Sequence, residues 1–235
     1  MIELVFKDTS CKKIAVRLSG GPDSAIVYYA VCDYYKDAPD VKVYPYTMST
    51  PLRPYTVARA KSVINYTASV TGKQCERHYT IHYEKHNAAN SQEFNSSEYV
   101  NGQEILEKQL LSEVDIDIIY YGLSMNCQKD ALVTFVDSLP LTKSMRYHAV
   151  LEAKDSSRDF NIGPRISYID PYYAFAPLIA SDKTMVKSLY DYYGLTKTLY
   201  PLTWSCENDL QSEKGDVHCG NCYFCLEREF AFGKL

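Results

Sequence analysis

The sequence predicts an α/β fold in which helices cover both faces of a parallel β-sheet. Short apolar runs alternate with segments of helical periodicity between Ile14 and Tyr83, in the order β-α-β-α-β. Glycine or proline residues separate several of these segments. Parallel strands need a crossover connection, which a helix usually supplies, so this order favours a parallel sheet.

The individual elements follow from apolar spacing along the chain. Strands are predicted over residues 14–18, 41–48, 79–83 and 116–121, and helices over residues 23–35, 55–71, 104–114 and 183–193. Asp182 is a candidate N-cap for the last helix, while Gly72 and Gly194 suit the left-handed residue that ends a helix. The polar stretch 84–102 predicts a loop or insertion, and the prolines within 138–175 leave that stretch without an assigned element.

The chain has 235 residues, of which 46% are hydrophobic, and a formal net charge of -4. We expect residues 1–200 to form one α/β domain and residues 201–235 a small appended module. No apolar run approaches the ~20 residues that span a bilayer. Residues 1–12 lack the features of a secretory signal, which favours a cytoplasmic location. The slight acidity disfavours a nucleic-acid partner, because phosphate contacts require a basic surface.

Eight cysteines fall into two groups. Cys11, Cys32, Cys75 and Cys127 are scattered, and we expect them to serve as small apolar core residues. The other four lie within twenty residues near the end of the sequence. Thiols stay reduced in the cytosol, so such a cluster favours a metal site over disulfides.

The clustered cysteines are Cys206, Cys219, Cys222 and Cys225. Two overlapping Cys-x-x-Cys steps bring three thiolates near one ion, and Cys206 can complete a tetrahedral site. Four thiolates leave no open position, so we expect one structural Zn²⁺ per chain. An iron–sulfur cluster accepts the same spacing, and redox dithiol chemistry is a further alternative. His218 adjoins Cys219 and could replace one ligand, although we favour a supporting role for it.

A glycine-containing turn at residues 18–25 joins the first predicted strand to the first predicted helix. Gly20 and Gly21 allow a sharp turn and a close approach of the backbone to a ligand. The helix start offers unpaired N–H groups and a positive dipole end, which suit a phosphate. Ser19 and Ser24 can donate hydrogen bonds to phosphate oxygens. Together these features predict a phosphate site.

Asp23 follows the two glycines, where a carboxylate would repel a bound anion. A cation between the two would remove that repulsion, so Asp23 indicates either bound Mg²⁺ or a helix-capping role. The sequence Ser-Gly-Gly-Pro-Asp-Ser resembles the pyrophosphate loop of the PP-loop ATP pyrophosphatases, which cleave ATP between the α- and β-phosphates. This resemblance implies a Rossmann-like fold of the adenine nucleotide alpha-hydrolase type, with ATP and Mg²⁺ as cosubstrates. The alternative is an ordinary Gly-Gly turn capped by aspartate.

Three further residues are candidates for the same site. Lys183 opens a late predicted helix, and its ammonium group could reach bound phosphates. Spacing alone favours a solvated lysine in the first helical turn. Tyr46 and Thr47 end the second predicted strand, where adenine binds backbone groups in comparable sheets. We therefore include Tyr46 and Thr47 as candidate nucleotide contacts, by analogy only.

The two motifs and their order resemble the 7-cyano-7-deazaguanine synthase family. The resemblance rests on Pro177-Leu178, Lys183, Gly194-Leu195, Thr203-Trp204-Ser205-Cys206, and Cys219-Gly220-Asn221-Cys222-Tyr223-Phe224-Cys225-Leu226-Glu227-Arg228, together with the loop at Ser19 to Ser24. It implies ATP-dependent conversion of 7-carboxy-7-deazaguanine and ammonia to a nitrile, with release of AMP and pyrophosphate. On this basis Ser19, Gly20, Gly21, Asp23 and Ser24 hold pyrophosphate, Lys183 assists, Asp23 and Lys183 are the catalytic residues, and homodimers are possible. No segment resembles a glutaminase, so ammonia would come from solution or a partner.

The sequence departs from the family after Gly122, where Asn126, Cys127 and Asp130 are present but a Tyr-Pro-Asp-Cys segment is absent. The gap between Cys206 and Cys219 is also longer than the family leads us to expect. Two alternatives therefore stand beside the nitrile synthase. One is a related enzyme that adenylates another carboxylate, amide or macromolecule such as tRNA, and the other is a non-catalytic nucleotide- or zinc-binding module.

Overall fold

Six strands form one sheet within the part of the chain that the structure describes. The computed structural model describes residues 3–6, 10–51, 53–83, 96–125, 129–140, 165–206 and 217–234. The strands are β1 (Lys13–Arg17), β2 (Lys42–Ser49), β3 (Tyr79–His82), β4 (Ile118–Tyr121), β5 (Ile166–Ile169) and β6 (Tyr172–Phe175). Their order across the sheet is β3-β2-β1-β4-β6-β5, and only β5 runs antiparallel to its neighbour.

Helices connect most of these strands. They are α1 (Pro22–Tyr34), α2 (Thr56–Thr71), α3 (Ser96–Glu113), α4 (Lys129–Ser138), α5 (Lys183–Tyr192) and α6 (Tyr223–Phe232), with a short 3₁₀ turn at Tyr200–Leu202. Gly72 ends α2 in the left-handed conformation, as predicted, and Gly194 takes the same conformation after α5. None of the helices described here is long and apolar enough to cross a membrane.

Alternating side chains of the strands build a core on each face of the sheet. Ile14 and Val16 of β1 are fully buried in a cluster with residues of α1, α2, α5 and α6. Ala15 points the other way and packs with Leu106 and Leu110 of α3. Full burial of a leucine contributes about 2 kcal/mol, so both clusters stabilise the sheet. The predicted α/β fold, with helices on both faces, is confirmed.

The structure corrects the prediction for residues 84–102. Helix α3 begins at Ser96, so residues 96–102 are helical rather than a loop. Gly102 lies so close to β2 that an added Cβ would be 2.6 Å from the Met48 sulfur. This tertiary contact outweighs the polar composition on which the prediction depended. The remainder, residues 84–95, lies outside the described residues.

Residues 138–175 contain a hairpin that the sequence did not reveal. Strands β5 and β6 pair antiparallel, and β6 lies beside β4. Each strand has four residues, and Pro171 lies in the turn between them. The prolines suggested irregular structure, and the two short strands were therefore not recognised from the sequence. Helix α4 was also missed. Residues 141–164 lie outside the described residues.

The scattered cysteines occupy the positions expected of small apolar residues where the structure describes them. Cys11 and Cys32 are buried, and Cys75 is half-buried. Burial raises the pKa of Cys32 to about 12, so this thiol stays protonated at neutral pH. Cys127 lies outside the described residues.

The order of strands reverses at β1, because the chain adds β2 and β3 on one side of it and the later strands on the other, and this switch point positions the functional residues. Strand β1 lies between β2 and β4, so the connections after β1 and β4 diverge at the same edge of the sheet. In open α/β sheets such a point forms a crevice outside the carboxyl ends of the strands. Gly122 directly follows β4, and an added Cβ there would lie 2.5 Å from the Ser24 Cα. Glycine is therefore required for this close approach.

We predict that Gly122→Ala lowers the free energy of unfolding by about 1–3 kcal/mol, because the new methyl group overlaps the backbone of α1. Chemical denaturation monitored by circular dichroism measures the change. Val70→Ala, on the exposed surface of α2, is the control and should change stability by less than about 0.5 kcal/mol. Equal stability of wild type and Gly122→Ala would contradict the close contact.

Candidate functional site

A cavity of about 280 Å³ opens at the carboxyl edge of the sheet, in the crevice beside β1. Its wall includes the turn after β1, the segment after β4, the start of α5 and the cysteine-rich C-terminal segment. Residues from these four sources include Ser19, Gly21, Asp23, Leu123, Ser124, Lys183, Trp204, Cys206 and Glu227. The structure therefore brings most of the predicted loop residues together with Lys183 and one cysteine.

The turn at residues 18–21 has the conformation that its two glycines permit. Gly20 has φ +76°, and an added Cβ would lie 3.0 Å from the Arg59 Cβ. Gly21 is the N-cap of α1 and supplies no side-chain hydrogen bond to the helix start. The dipole end of α1 thus lies beside the cavity wall, an arrangement that favours an anion. Gly20 itself is outside the lining of the cavity.

Hydroxyl groups fix the shape of the turn. Ser24 accepts a hydrogen bond from the Ser19 amide at 3.1 Å, and the two hydroxyl oxygens lie 3.0 Å apart. The Ser24 hydroxyl also donates to the Gly21 carbonyl at 3.2 Å. Ser19 lines the cavity, whereas Ser24 lies behind it and is buried. In this state Ser24 therefore holds the turn in place, and Ser19 is the hydroxyl that faces the cavity.

Asp23 does not cap α1. Its Oδ2 atom accepts a bond from Lys183 Nζ at 2.5 Å and another from the Ser124 hydroxyl at 2.9 Å. Its Oδ1 atom is buried and has no hydrogen-bond partner among the described residues. A buried acceptor without a partner is costly, so this atom is suited to bind a cation or another donor.

Lys183 is buried rather than solvated, with only 5% of its surface exposed. Asp182 caps α5 by accepting bonds from the Thr184 and Met185 amides, each at 3.0 Å, and this cap orients the first turn. The lysine Nζ then reaches Asp23 and also lies 3.4 Å from Oε2 of Glu227. Burial of the ammonium group is tolerated because it has two carboxylate partners.

Glu227 is a site residue that the sequence analysis did not identify. It lies on α6, is 4% exposed, and lines the cavity opposite the glycine turn. The Tyr223 hydroxyl donates to its Oε1 atom at 3.3 Å. The sequence did offer one indication of this role, because Glu227 lies two residues after the last clustered cysteine. A metal bound by that cysteine would fix the turn of helix that carries Glu227.

The segment before Cys206 contacts the glycine turn directly. The Trp204 amide donates to the Gly20 carbonyl at 2.8 Å. The guanidinium of Arg59 lies 4.0 Å from the centre of the Trp204 ring, and the His218 ring stacks on the indole at 3.8 Å. The indole is thus held between α2 and the cysteine segment by cation–π and stacking contacts.

Basic groups outnumber acidic ones in the described cavity wall. Arg53, Arg59 and Lys183 line it together with Asp23 and Glu227. The excess of positive charge suits a phosphorylated ligand. The apolar part of the wall comes from Met48, Leu123 and Phe224, which could contact an uncharged ring or chain.

The four clustered cysteines converge. The sulfur atoms of Cys206, Cys219, Cys222 and Cys225 all lie within 4.8 Å of one another. The Cys219 amide donates to the Cys206 sulfur at 3.4 Å, and the Cys222 amide donates to the Cys219 sulfur at 3.3 Å. Amide donors of this kind stabilise thiolates. The group can therefore hold a metal ion, and His218 lies outside the four ligands, 3.6 Å from the Cys225 sulfur.

Arg228 attaches α6 to the rest of the protein. It is 1% exposed and donates to the Thr203 hydroxyl at 2.9 Å and to the Tyr200 carbonyl at 3.1 Å. Burial lowers its pKa, although an arginine remains protonated at neutral pH. Its guanidinium also lies 4.0 Å from the centre of the Tyr200 ring. These contacts fix the helix that carries Cys225 and Glu227.

Tyr46 and Thr47, the candidate nucleotide contacts on β2, are not part of the main cavity. They border a separate cleft of about 10 Å³ beside Leu18. The Tyr46 hydroxyl donates to Glu107 at 2.8 Å, and the Thr47 hydroxyl donates to the Leu18 carbonyl at 2.7 Å. Both side chains already have protein partners, and the Tyr46 carbonyl accepts a further bond from the Leu18 amide at 2.9 Å.

His78, the residue directly before β3, contacts the Thr47 side chain. Its Nε2 atom lies 2.8 Å from the Thr47 hydroxyl. That hydroxyl donates its own proton to Leu18, so His78 must donate through Nε2. Burial lowers the pKa of His78 to about 4. The imidazole is therefore neutral at pH 7 in the folded protein.

We predict that acidification destabilises the protein through His78. Between pH 6.5 and 4 the unfolded chain binds a proton at this residue that the folded chain does not, so stability falls as the pH drops through that window. After allowance for partial exposure, the loss is about 1–2 kcal/mol. Unfolding measured at pH 7 and pH 4.5 should show a smaller loss for His78→Gln than for wild type. Identical losses would contradict the neutral, buried imidazole.

We also predict that Cys222→Ser abolishes stoichiometric metal binding and lowers thermal stability, because a four-thiolate site contributes directly to folding. Elemental analysis and a thermal melt measure the two effects. Cys75→Ser is the matched control, because Cys75 is half-buried and lies outside the cluster. Full metal content in Cys222→Ser would remove Cys222 from the ligand set.

No protein-family model matches the chain, and no curated protein matches it. Among solved structures, the chain is similar to the U34-tRNA thiolase NcsA from Methanococcus maripaludis, described with its [4Fe-4S] cluster. The two are 18% identical, the match covers 94% of this chain and 70% of that chain, and the TM-score is 0.49. At that identity and TM-score, the function of one protein does not transfer to the other.

Proposed function

We propose that the protein uses Mg²⁺ and ATP to adenylate an oxygen atom of an acceptor, and releases pyrophosphate. The observation that carries this proposal is the cavity itself. A glycine turn, the start of α1, and the ion pair of the partly buried Asp23 with the buried Lys183 meet in the cavity wall, where the strand order reverses. This combination supports a nucleotide phosphate site of the PP-loop type.

Each loop residue has a role in this proposal. Ser19, Gly20, Gly21 and Ser24 form the turn that would hold pyrophosphate, with Ser19 donating from the cavity wall. Lys183 would neutralise charge on the phosphates. Asp23 fits Mg²⁺, because its buried Oδ1 atom has no hydrogen-bond partner among the described residues. The bound ion would neutralise the charge that develops on departing pyrophosphate.

The acceptor that the sequence resemblance favours is 7-carboxy-7-deazaguanine. Its carboxylate oxygen would attack the α-phosphate, and ammonia would then displace AMP to give an amide. A second ATP would activate the amide oxygen, and loss of AMP and protons would leave a nitrile. Adenylate is needed because hydroxide and oxide leave poorly. The apolar wall at Leu123 and Phe224 suits a planar ring beside the phosphate end of the cavity.

A different acceptor, such as another acid, an amide or a tRNA, is the second candidate. It is favoured by the sequence after Gly122, which lacks the Tyr-Pro-Asp-Cys segment of the deazaguanine family. A non-catalytic binding module is less consistent with the cavity, since a lysine buried between two carboxylates costs desolvation energy that mere packing would avoid.

For the cysteine centre we propose one structural Zn²⁺. With zinc–sulfur bonds of about 2.3 Å, the sulfur atoms of a tetrahedral site lie about 3.8 Å apart. The Cys219 and Cys225 sulfurs are 3.9 Å apart. An iron–sulfur cluster places each thiolate on a different iron and separates the sulfur atoms further, so the observed spacing favours a single ion. The zinc and iron contents of the purified protein, measured by elemental analysis, distinguish a zinc site from an iron–sulfur cluster.

The assay combines protein, Mg-ATP, ammonia and 7-carboxy-7-deazaguanine, and follows pyrophosphate and nitrile by mass spectrometry. We predict that Asp23→Asn lowers pyrophosphate release by about 100-fold or more, because the cation site loses its charge. Asp33→Asn is the matched control, since Asp33 is a surface carboxylate on the same helix that pairs with Lys36.

Nitrile formation supports the deazaguanine acceptor, and pyrophosphate release only with another acceptor supports the second candidate. Absence of pyrophosphate with every acceptor would contradict the proposed enzyme, as would full turnover by Asp23→Asn. Circular dichroism of both variants verifies that each is folded.

A further inference from the structure

One ammonium group is shared between two carboxylates in the cavity wall. Lys183 Nζ lies 2.5 Å from Asp23 Oδ2 and 3.4 Å from Glu227 Oε2. The Lys183 and Glu227 side chains are each about 95% buried, and that of Asp23 is 17% exposed. At such burial these charges interact strongly, and the position of the lysine depends on both partners.

The bond between Lys183 and Asp23 opposes the function that we propose for Asp23. A carboxylate that binds Mg²⁺ must share its negative charge with the ion, yet Oδ2 already carries the lysine and the Ser124 hydroxyl. Lysine and Mg²⁺ therefore compete electrostatically for Asp23. If Asp23 were the only counterion of Lys183, loss of that bond would leave a buried ammonium group unpaired, which is expensive.

Glu227 removes this cost. It is the second carboxylate beside Lys183, and it reaches the cavity from α6 rather than from the glycine turn. Its own orientation is fixed, because Tyr223 donates to Oε1 and Arg228 anchors the helix through Thr203. A lysine that moves from Asp23 toward a bound phosphate thus keeps a buried counterion.

We infer that Glu227 is a positioning residue: it offers Lys183 a second buried counterion, so that the lysine can leave Asp23 and Asp23 can bind Mg²⁺ when ATP enters. This inference rests on the proposed function and deepens it. Glu227 acts through Lys183 and has no direct role in the reaction. The same residue makes the Mg²⁺ requirement depend on the cysteine-bearing helix, because α6 also carries Cys225.

Glu227→Gln tests the inference, because it keeps the shape of the side chain and removes its charge. Without that charge Lys183 pairs with Asp23 alone, and Mg²⁺ competes less well. The Mg²⁺ concentration for half-maximal binding of α,β-methylene ATP, measured by calorimetry, should rise about tenfold, as expected for loss of one opposite charge within ~4–6 Å. Glu227→Asp keeps the charge and should restore part of the difference.

Asp191→Asn is the matched control. Asp191 is the partner of Lys187 one turn further along α5, where the ion pair is exposed, so this variant should keep the wild-type Mg²⁺ dependence. If Glu227→Gln does not fold, Tyr223→Phe replaces it, since it removes the hydrogen bond that orients Glu227 and should shift the Mg²⁺ dependence in the same direction by about twofold.

The outcomes separate the inference from the proposed function. Wild-type protein that binds no nucleotide at any Mg²⁺ concentration would overturn both. Wild-type binding with an unchanged Mg²⁺ dependence in folded Glu227→Gln, and with its cysteine metal retained, would overturn the role of Glu227 alone. An equal shift of the Mg²⁺ dependence in Asp191→Asn would also overturn it, because the shift would then follow from the loss of any negative charge and not from the position of Glu227.

Discussion

A largely buried ion pair connects two distant parts of the chain, and the cavity wall depends on it. Asp23 stands at the start of α1 and Lys183 at the start of α5, and their bond joins residues 160 positions apart. Glu227 extends the contact to α6. Charges so far removed from water are stable only in a fixed arrangement of partners. The turn, the helix cap of α5 and the cysteine segment therefore depend on one another.

This arrangement explains why the cavity combines strong charge with a rigid wall. The glycine turn is fixed from inside by Ser24 and from outside by the amide of Trp204. The indole is in turn fixed by Arg59 and His218. Preorganised donors and charges of this kind need little rearrangement when a ligand binds, so less binding free energy is lost in ordering the site.

Features that depend on near neighbours were predictable from the sequence. The turn at Gly20, the cap at Asp182 and the alternation of strands and helices each follow from a few adjacent residues. The spacing of the cysteines likewise predicted their convergence, because short Cys-x-x-Cys steps leave few alternatives. Local chemistry limits the conformations in each of these cases.

Features that depend on tertiary contacts were not predictable. Spacing alone gives Lys183 the context of a solvated lysine; the family resemblance made it a site candidate, and its burial between carboxylates from α1 and α6 could not be read from the sequence. Glu227 and the contact of Arg59 with Trp204 were missed for the same reason. The β5–β6 hairpin is stabilised by pairing with β4, which no short window of sequence contains.

The hydrogen bond from the Trp204 amide to the Gly20 carbonyl has a consequence for the order of synthesis. The ribosome makes the glycine turn and all six strands before the tryptophan, so the nascent chain can build its sheet well before this bond can form. The pocket is therefore completed only after Trp204 has been made. A chain that stops before residue 204 would keep the strands but lack the segment that closes the turn.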